Sequence, residues 1–380
     1  MKLVYLAQIR LPSRKAHSVQ IMNMCLAFAN CGVSVNLIVP RWRPTEISEP
    51  FAYYGVKRNF SITRILTPRL AQFGKYGFML ETALFAFVTV FYSLCTNPEI
   101  VYSRSLLPLL IISPLKNKVL VWETHTRIKG WLPKFLLNLV GRSKIKIVTI
   151  TRTLKSDLIQ LGIKQERIMV SPDGVNLAQF ANLPSKDELR RKLGLPLDKT
   201  IIAYVGRYRT MGQEKGVGGL IKAYATIEKK QKNILLLLVG IHEGEKLEVE
   251  ELMKRNLVSN YKIKSIIPSR IVSHYLCASD ILVMNYPSAN HYLYYMSPLK
   301  LFEYMASGNP IVSSDLPSIR EVLNESNAIL VPPDDINVLI KGIENLIKDK
   351  PMGDKIAAKA YKDVQNYTWA NRAKNILNFI

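Results

Sequence analysis

The chain has 380 residues, of which 48% are hydrophobic and 21% charged, as expected for about two packed globular domains. Its formal net charge is +23, and residues 1–150 hold 20 Lys and Arg against 5 Asp and Glu. A basic N-terminal half indicates an anionic partner, such as nucleic acid, an anionic membrane or a phosphorylated substrate; solubility alone is the alternative. The four cysteines are scattered without a CxxC pair, which argues against a disulfide framework or a zinc site and favours a reducing cytosol.

The N-terminal segment has the pattern of a β-α-β unit. Lys2–Gln8 is predicted to be a buried strand, His17–Asn30 a helix and Val33–Val39 a second strand, and no signal peptide is expected. The intervening turn lacks G-x-G-x-x-G, which disfavours NAD or FAD. Arg10, Arg14 and Lys15 cluster instead at the predicted helix start, which suits a phosphate or an anionic head group; solvated surface charge is the alternative.

An apolar segment at residues 76–94 follows a stretch, residues 40–75, that is predicted to be irregular. The segment is long enough to span a membrane, but Glu81 interrupts it and Pro98 follows soon after. Because an ionisable residue is costly inside a bilayer, a buried or interfacial helix is the better prediction.

Strands and helices alternate through the rest of the first half. Strands are predicted at 100–102, 118–123, 145–151 and 168–171, and helices at 105–115 and 153–161. In doubly wound sheets, ligands bind beyond the carboxyl ends of the strands. His125 follows a predicted strand and is therefore well placed for chemistry, although a lone histidine is as often structural.

Residues 178–199 are polar and rich in Lys and Pro, and they are predicted to be a domain joint. A second α/β series follows, with strands predicted at 200–206, 234–240, 263–267, 280–285 and 311–315, and helices at 245–255, 270–278, 336–348, 353–365 and up to Ile380. Alternation in both halves predicts two parallel-sheet α/β domains.

Three element ends in the second half predict an anion site. Arg207 follows a strand, Lys215 opens a helix, and Ser297–Lys300 starts another helix with Ser297 as its N-cap and Pro298 in its first position. Two cations and a helix N-terminus can neutralise a diphosphate without a metal ion. Neither a Walker A sequence nor an Asp-x-Asp motif at a strand end occurs, which disfavours a P-loop or metal-dependent enzyme.

The helix that begins near Ser297 also carries an acid. Glu303 lies one turn beyond Lys300 and is suited to accept hydrogen bonds from a ribose diol. Gly308 and Pro310 are predicted to end this helix. An ordinary capped helix with a chance lysine is the alternative.

Several segments resemble the retaining glycosyltransferases of family 4, which have the GT-B fold. The strongest is SPLKLFEYMASGNPIVSSDLPSIREVL at 297–323. Further similar segments lie at 12–40, 171–180, 204–216, 277–286 and 367–377. Each is weak alone, but together they follow the family's order along nearly the whole chain.

The resemblance implies two Rossmann-like, doubly wound domains that face each other across a cleft. Residues 1–178 would bind the acceptor and 179–360 the donor, and a helix within 361–380 would return to the N-terminal domain. It implies donor-binding roles for Gly206, Arg207, Lys215, Ser297, Pro298, Leu299, Lys300 and the ribose-binding Glu303. The catalytic candidates are His125, Arg207 and Lys215. The acceptor-binding candidates are Arg14, Lys15 and His17.

The sequence therefore predicts a retaining, metal-independent glycosyltransferase of the hexosyltransferase type that needs no cofactor. It would move sugar from a nucleotide sugar, UDP-linked by expectation, to a lipid-linked or cell-surface polysaccharide acceptor at the cytoplasmic face of an anionic membrane. Tyr295 stands where many relatives have a second acid that contacts the donor sugar, so the sugar stays open.

Two other functions are compatible with parts of the sequence. A nucleotide-sugar 2-epimerase would need additional acid and base carboxylates. A non-enzymatic basic protein that binds membrane or nucleic acid would leave Arg207, Lys215 and Glu303 unexplained. The sequence also lacks the interleaved basic and aromatic residues typical of a single-strand groove, so no nucleic-acid partner is expected.

Overall fold

The computed structural model describes residues 1–43, 49–115, 117–127, 131–210 and 212–380, with only the backbone described at 131–134. The chain forms two units, one of Met1–Asp173 with Trp369–Ile380 and the other of Gly174–Thr368. The sequence placed these boundaries after residues 178 and 360. The first unit thus ends five residues earlier than expected, and the returning C-terminal segment begins eight residues later.

The first unit is built on a seven-stranded parallel sheet. Its strands are β1 (Lys2–Leu6), β2 (Ser34–Pro40), β3 (Ser61–Ile65), β4 (Ile100–Ser103), β5 (Val119–Thr124), β6 (Lys146–Thr149) and β7 (Ile168–Val170). Its first six helices are α1 (Ala16–Asn30), α2 (Pro50–Tyr54), α3 (Gly74–Thr96), α4 (Leu106–Ile112), α5 (Trp131–Arg142) and α6 (Arg152–Gln160). The strand order is β3-β2-β1-β4-β5-β6-β7, which is doubly wound.

The second unit contains a six-stranded parallel sheet and a two-stranded antiparallel ribbon. The helices are α7 (Lys186–Leu193), α8 (Val217–Lys230), α9 (Glu243–Arg255), α10 (Val272–Cys277), α11 (Asn290–Tyr294), α12 (Leu299–Ala306), α13 (Pro317–Arg320), α14 (Ile336–Lys348) and α15 (Lys350–Val364). The strands are β8 (Thr200–Val205), β9 (Arg209–Thr210), β10 (Gln213–Glu214), β11 (Ile234–Val239), β12 (Tyr261–Lys264), β13 (Ile281–Met284), β14 (Ile311–Ser314) and β15 (Ile329–Val331).

The parallel sheet of the second unit has the order β12-β11-β8-β13-β14-β15, so both units repeat the same winding. Its central strands β8, β11 and β13 are apolar on both faces because helices cover both, and β11, with the sequence ILLLLV, is buried along its whole length. Ile201, Ala203 and Val205 join the core formed with α12 and α15, while Ile202 and Tyr204 join the core formed with α8 and α14. The alternation predicted for two parallel-sheet domains is confirmed.

The strand order of this sheet reverses between β8 and β13, and these two neighbouring strands diverge there. β11 pairs with β8 along all six of its residues, whereas β13 pairs with it at Ile202 and Ala203. Beyond Ala203, the hydroxyl of Tyr304 on α12 fills the gap. It accepts a hydrogen bond from the Val205 N–H (2.8 Å) and donates one to the Val205 carbonyl (3.2 Å). Helix α12 is therefore tied directly to the end of β8.

Three sequence predictions need correction. The stretch predicted to be irregular, residues 40–75, contains α2 and β3; its residues 44–48 lie outside the described part of the chain. The predicted joint at 178–199 contains α7, a helix with a reciprocal capping box between Ser185 and Glu188 and with Leu189 in the core. Both stretches resemble polar loops in the sequence, because the helices and strand within them each bury only a few side chains on one face. The segment before Ser297, where no helix or strand was predicted, likewise contains α11.

The last helix, α16 (Trp369–Phe379), packs on α1 in the first unit. Ala373 and Ile376 are fully buried there, and Arg372 is 3% exposed. The return of the C-terminal helix to the N-terminal domain, which the resemblance implied, is confirmed.

Replacing Tyr304 by Phe should lower the free energy of unfolding of the second unit by about 1–3 kcal/mol, because two buried backbone groups of Val205 lose their partner. Thermal or urea unfolding of the full chain measures this loss. Tyr361→Phe is the matched control, since Tyr361 is exposed on α15. Equal stability of the two variants would contradict the assigned role of the Tyr304 hydroxyl.

Candidate functional site

The predicted donor-site residues of the second unit converge where the sheet order reverses. Gly206 and Arg207 follow β8, and Asn285 follows β13, its neighbour across the divergence. Lys300 reaches the same place from α12, because a Cβ atom added to Gly206 would lie 2.6 Å from its Nζ. Any residue larger than glycine at 206 would therefore displace the lysine. The carboxyl ends of strands at such a reversal are where doubly wound sheets bind ligands.

The ammonium group of Lys300 is buried between aromatic rings. Its Nζ lies 3.7 Å from the centroid of the Tyr204 ring and 5.4 Å from that of Tyr286, and within the described part of the chain it has no hydrogen-bond partner. Burial, and then the charge of Lys215, lower the pKa of Lys300 well below its usual range, although Glu303 opposes them. An unsatisfied buried cation of this kind is stabilised when an anion binds beside it.

Helix α12 begins one residue later than the sequence predicted. Pro298, in an extended conformation, is the N-cap, and no side chain caps the helix, so Ser297 is not the N-cap. Proline lacks an N–H, so of the predicted Ser297–Lys300 stretch only Leu299 and Lys300 can offer helix N–H groups to an anion. The predicted end is correct, since Gly308 adopts a left-handed conformation (φ 70°) just after the helix.

Lys215 and Arg207 form the second part of the cationic cluster. Burial, and then the charge of Arg207, lower the pKa of Lys215 to about 8. His291 on α11 is half-buried, and its pKa is lowered by burial and by the charge of Lys215. Like charges held this close repel one another, so the cluster is prepared to receive an anion.

Glu303 is the acid of this cluster. Burial raises its pKa to about 7, while the charge of Lys300 lowers it by a smaller amount. Residues three positions apart on a helix share one face, which brings Glu303 and Lys300 together on α12. Near neutral pH its carboxyl group can therefore either accept or donate a hydrogen bond.

Gly216, which precedes α8, is closely packed against the strand across the divergence. Its φ is 83°, and a Cβ atom added there would lie 1.3 Å from the carbonyl oxygen of Asn285. The Asn285 amide donates in return to the Gly216 carbonyl (3.3 Å). A cavity of ≈ 420 Å³ opens beside these two residues, and Pro287 and Ala289 form part of its wall. Asn285 was not predicted; a polar residue ending an apolar strand was its only signal.

The N-terminus of α8 is already occupied. The Glu214 carboxylate accepts a 2.5 Å hydrogen bond from the Gly218 N–H in the first turn of that helix. The predicted role of Lys215 therefore depends on its own charge and on Arg207, not on the dipole of the helix that it precedes.

In the first unit, His125 belongs to a buried polar network. Its Nε2 lies 2.5 Å from Oε1 of Glu123, which also accepts hydrogen bonds from Gln20 (2.7 Å) and Arg372 (3.0 Å). The hydroxyl of Tyr102 donates to the other carboxylate oxygen. Burial would raise the pKa of Glu123, but the charge of Arg372 and the bond to His125 hold it well below its usual range.

Asp173 completes this network, with its carboxylate within 4.8 Å of ligand atoms of Glu123 and His125. A carboxylate, a histidine and a second carboxylate resemble a cation site. Here, however, the Arg372 guanidinium already neutralises Glu123, so the group is a charge-paired network. Neither Glu123 nor Arg372 was predicted, although a charged residue at the end of an apolar strand was a usable signal for Glu123.

The predicted acceptor-binding residues lie at the start of α1. Lys15 is its N-cap, Arg14 is exposed, and His17 is half-buried in the first turn. One turn later, Gln20 bonds to Glu123, so the start of α1 lies near the carboxyl end of β5 and His125. In the second unit, Tyr295, which replaces the family's second acid, is buried just before α12.

The comparisons with known protein families cover both units. The family "Glycosyl transferases group 1" matches residues 185–363, and "Glycosyltransferase Family 4" matches residues 17–179. The second unit is thus similar to the group 1 glycosyltransferases, and the N-terminal region is similar to glycosyltransferase family 4.

Two curated relatives and one solved structure illustrate the similarity. A D-inositol 3-phosphate glycosyltransferase of Corynebacterium urealyticum is 28% identical over 222 residues, which are 56% of this chain and 50% of that protein. A phosphatidyl-myo-inositol mannosyltransferase of Mycolicibacterium smegmatis is 24% identical over 200 residues, 52% of this chain and 48% of that protein. The chain thus spans about half the length of these relatives. The structure of Anabaena HepE with UDP-glucose has a TM-score of 0.74 at 17% identity and covers 100% of this chain and 98% of that one.

Gly216→Ala should disrupt the site, because its side chain cannot fit against the Asn285 carbonyl. Gly212→Ala is the matched control: Gly212 has a similar φ of 77°, but an added Cβ meets nothing within 4 Å. The control should lose about 1–2 kcal/mol of its free energy of unfolding because of left-handed strain alone. Gly216→Ala should lose clearly more. Melting of both variants measures the difference; equal losses would contradict the steric assignment.

Proposed function

We propose that this chain transfers a sugar from a UDP-linked donor to a lipid-linked or cell-surface glycan acceptor with retention of configuration. Its fold is GT-B, and its two halves match the group 1 and family 4 glycosyltransferase families. The observation that carries the proposal is the convergence of Arg207, Lys215 and Lys300 at the point where the sheet of the second unit reverses. Lys215 repels both Arg207 and Lys300, and Lys300 is buried without a hydrogen-bond partner in the described structure. Such a set of basic groups is complementary to a diphosphate.

The other residues of this site are chemically suited to bind the nucleotide of the donor. Glu303 on α12 would accept hydrogen bonds from the ribose hydroxyls, as acids do in other doubly wound nucleotide sites. The cavity beside Gly216 and Asn285 has room for part of the donor. HepE, which has the same fold, was crystallised with UDP-glucose, which supports UDP as the first donor to test.

In the proposed reaction the nucleoside diphosphate leaves as its bond to the anomeric carbon breaks. Negative charge then grows on the diphosphate oxygens, where Arg207, Lys215 and Lys300 stabilise it more strongly than in the ground state. The acceptor hydroxyl attacks from the face that the diphosphate leaves and passes its proton to a departing diphosphate oxygen, so the configuration is retained. His125 of the first unit would contact the sugar at the reacting centre, as the resemblance implies.

The proposed reaction needs no metal ion or other cofactor. The positive charge that a divalent cation would bring to the diphosphate is supplied by three basic side chains and by the Leu299 and Lys300 N–H groups at the start of α12. Addition of EDTA should then leave the rate of transfer unchanged.

The acceptor and the membrane are proposed from helix α3, which buries polar side chains together with Phe85 and Ala86. Glu81, Thr89 and Ser93 are buried, and the Glu81 carboxylate accepts hydrogen bonds from Gln8 and from the N–H groups of Leu70 and Ala71. Residues 71–96 are long and apolar enough to cross a membrane, yet Glu81 attaches the helix to the first unit. The segment is thus a surface helix here.

The outer face of α3 is apolar and aromatic. Its large exposed side chains are Phe73 and Tyr76 at its start, and Phe78, Met79, Leu80, Phe87, Phe91 and Leu94 along it. Arg69 and Lys75 are exposed at the same end as Tyr76. An apolar face beside basic residues suits the interface of an anionic bilayer, so we propose that the protein associates with the cytoplasmic leaflet through α3.

Lys215 gives the sharpest test of the donor site. A melting-shift screen across nucleotide sugars first identifies the donor, because a ligand of the folded state raises its stability. Lys215→Met should then lower kcat/KM for that donor by about 10²- to 10³-fold. Lys215→Arg keeps a permanent charge and should retain much of the activity.

The pH dependence of binding follows from the lowered pKa of Lys215. A bound diphosphate favours the charged amine and raises its pKa above the free value of about 8. The contribution of Lys215 to affinity should therefore be complete below about pH 8 and fall, by up to tenfold per pH unit, as the pH rises above it. Lys215→Arg should remove the part of this decline that begins at about pH 8, and any remaining part belongs to Lys300.

Unchanged sugar transfer by the Lys215→Met variant would overturn the assignment of the donor site.

Membrane association is tested with Phe87→Glu/Phe91→Glu, which places two charges on the apolar face of α3. Burying two Phe side chains contributes roughly 3 kcal/mol or more, so binding to phosphatidylglycerol vesicles should weaken by at least about 100-fold. Leu247→Glu is the control, since Leu247 is equally exposed on α9 of the second unit. Sedimentation with vesicles measures both, and equal binding by the two variants excludes α3 as the docking face.

A further inference from the structure

We propose that Arg372 and Glu123 are positioning residues for His125: they fix its imidazole in the tautomer that carries hydrogen on Nε2 and leaves Nδ1 as an acceptor for a substrate hydroxyl. Arg372 lies on α16, about 250 residues beyond Glu123 in the chain. The last helix would thus set the state of a side chain at the proposed reacting centre. The inference rests on the proposed function only for the identity of the hydroxyl.

The first step is the charge state of Glu123. Its carboxylate is completely buried, where the neutral form would normally be favoured. Arg372, 2% exposed in its side chain, donates from Nη2 to Glu123 Oε1 at 3.0 Å. Its Nε also donates to the Pro172 carbonyl at 2.9 Å, which fixes the guanidinium plane. A charged partner held in this way keeps Glu123 ionised.

The second step is the tautomer of His125. An ionised carboxylate can only accept hydrogen bonds, so the 2.5 Å contact between its Oε1 and His125 Nε2 requires hydrogen on Nε2. The charged groups that act on the ring are Glu123 on β5, Arg104 after β4 and Asp173 after β7. Burial and the charge of Arg104 lower the pKa of His125, and Glu123 and Asp173 only partly offset this. A neutral ring with hydrogen on Nε2 has a lone pair on Nδ1.

The third step is access. The His125 side chain is 14% exposed, unlike the fully buried Glu123. It borders a cavity of ≈ 260 Å³ whose wall also includes Arg104, Trp122 and Thr126. A wall that combines polar groups with an aromatic ring is suited to a sugar, whose hydroxyls donate to acceptors such as Nδ1. His125 can therefore orient a substrate hydroxyl or take up its proton.

The tautomer can be read directly by nitrogen NMR of ¹⁵N-histidine-labelled full-length protein, with His125→Gln to assign the signal among five histidines. In the unsubstituted protein, Nε2 should show the shift of a protonated nitrogen and Nδ1 that of an unprotonated one. Arg372→Met and Glu123→Gln should each abolish this pattern and give a mixture of tautomers. Arg372→Lys keeps a positive charge and should preserve it.

Arg190→Met is the matched control for the loss of a buried ion pair. Arg190 is 4% exposed in the second unit and pairs with Asp280, and its Nε donates to the Ala278 carbonyl. Its replacement should destabilise the protein as Arg372→Met does, but leave the His125 signals unchanged. Arg372→Met should also lower kcat for transfer by about 10- to 100-fold, with little change in donor KM.

Unchanged His125 signals in both Arg372→Met and Glu123→Gln would overturn the inference, as would an equal change in Arg190→Met. If Arg372→Met fails to fold, Glu123→Gln and Arg372→Lys decide the matter by the same spectrum. A protein that shows the expected tautomers but transfers no sugar from any nucleotide sugar would refute the proposed function and leave the positioning of His125 standing.

Discussion

The proposed donor site of the second unit depends on the divergence of two neighbouring strands, β8 and β13. Because a parallel sheet that reverses its strand order must send the two connections to opposite faces, the strands beside the reversal part and leave backbone groups unpaired. Tyr304 satisfies those groups at Val205 and thereby attaches α12 to the end of β8. The same attachment brings Lys300, one turn earlier on α12, against Gly206.

The proposed donor site is electrostatically unfavourable without a bound anion. Lys215 repels both Arg207 and Lys300, and Lys300 lies buried on the Tyr204 ring. Each of these arrangements costs stability, which the large apolar cores on both faces of the sheet can offset. Tyr204 also donates to the Arg207 carbonyl (2.7 Å), so one aromatic residue both shapes the turn after β8 and supports the buried lysine.

The first unit also buries a charged group, but with the opposite sign. Here the buried group is an acid, Glu123, and Arg372 from the far end of the chain neutralises it. Helix α3 of the same unit buries Glu81 beside Phe85 and exposes other phenylalanines. Both features place charge inside the protein, where specific hydrogen-bond donors hold it.

The sequence by itself determined the two parallel-sheet domains, since hydrophobic runs alternate with helical periodicity. It also identified four candidate site residues, because charges at element ends are visible as sequence patterns: Arg207, Lys215, Lys300 and Glu303. It missed α2, β3 and α7, whose single short buried faces resemble polar loops. It also misplaced the helix cap at Ser297, because one residue of register cannot be read from composition. Only the tertiary structure decided the partners of these residues. Gly216 with Asn285, Tyr304 with Val205 and Arg372 with Glu123 are 69 to 249 residues apart in the chain, and contacts at such separation arise from the order of the strands, which local patterns do not encode.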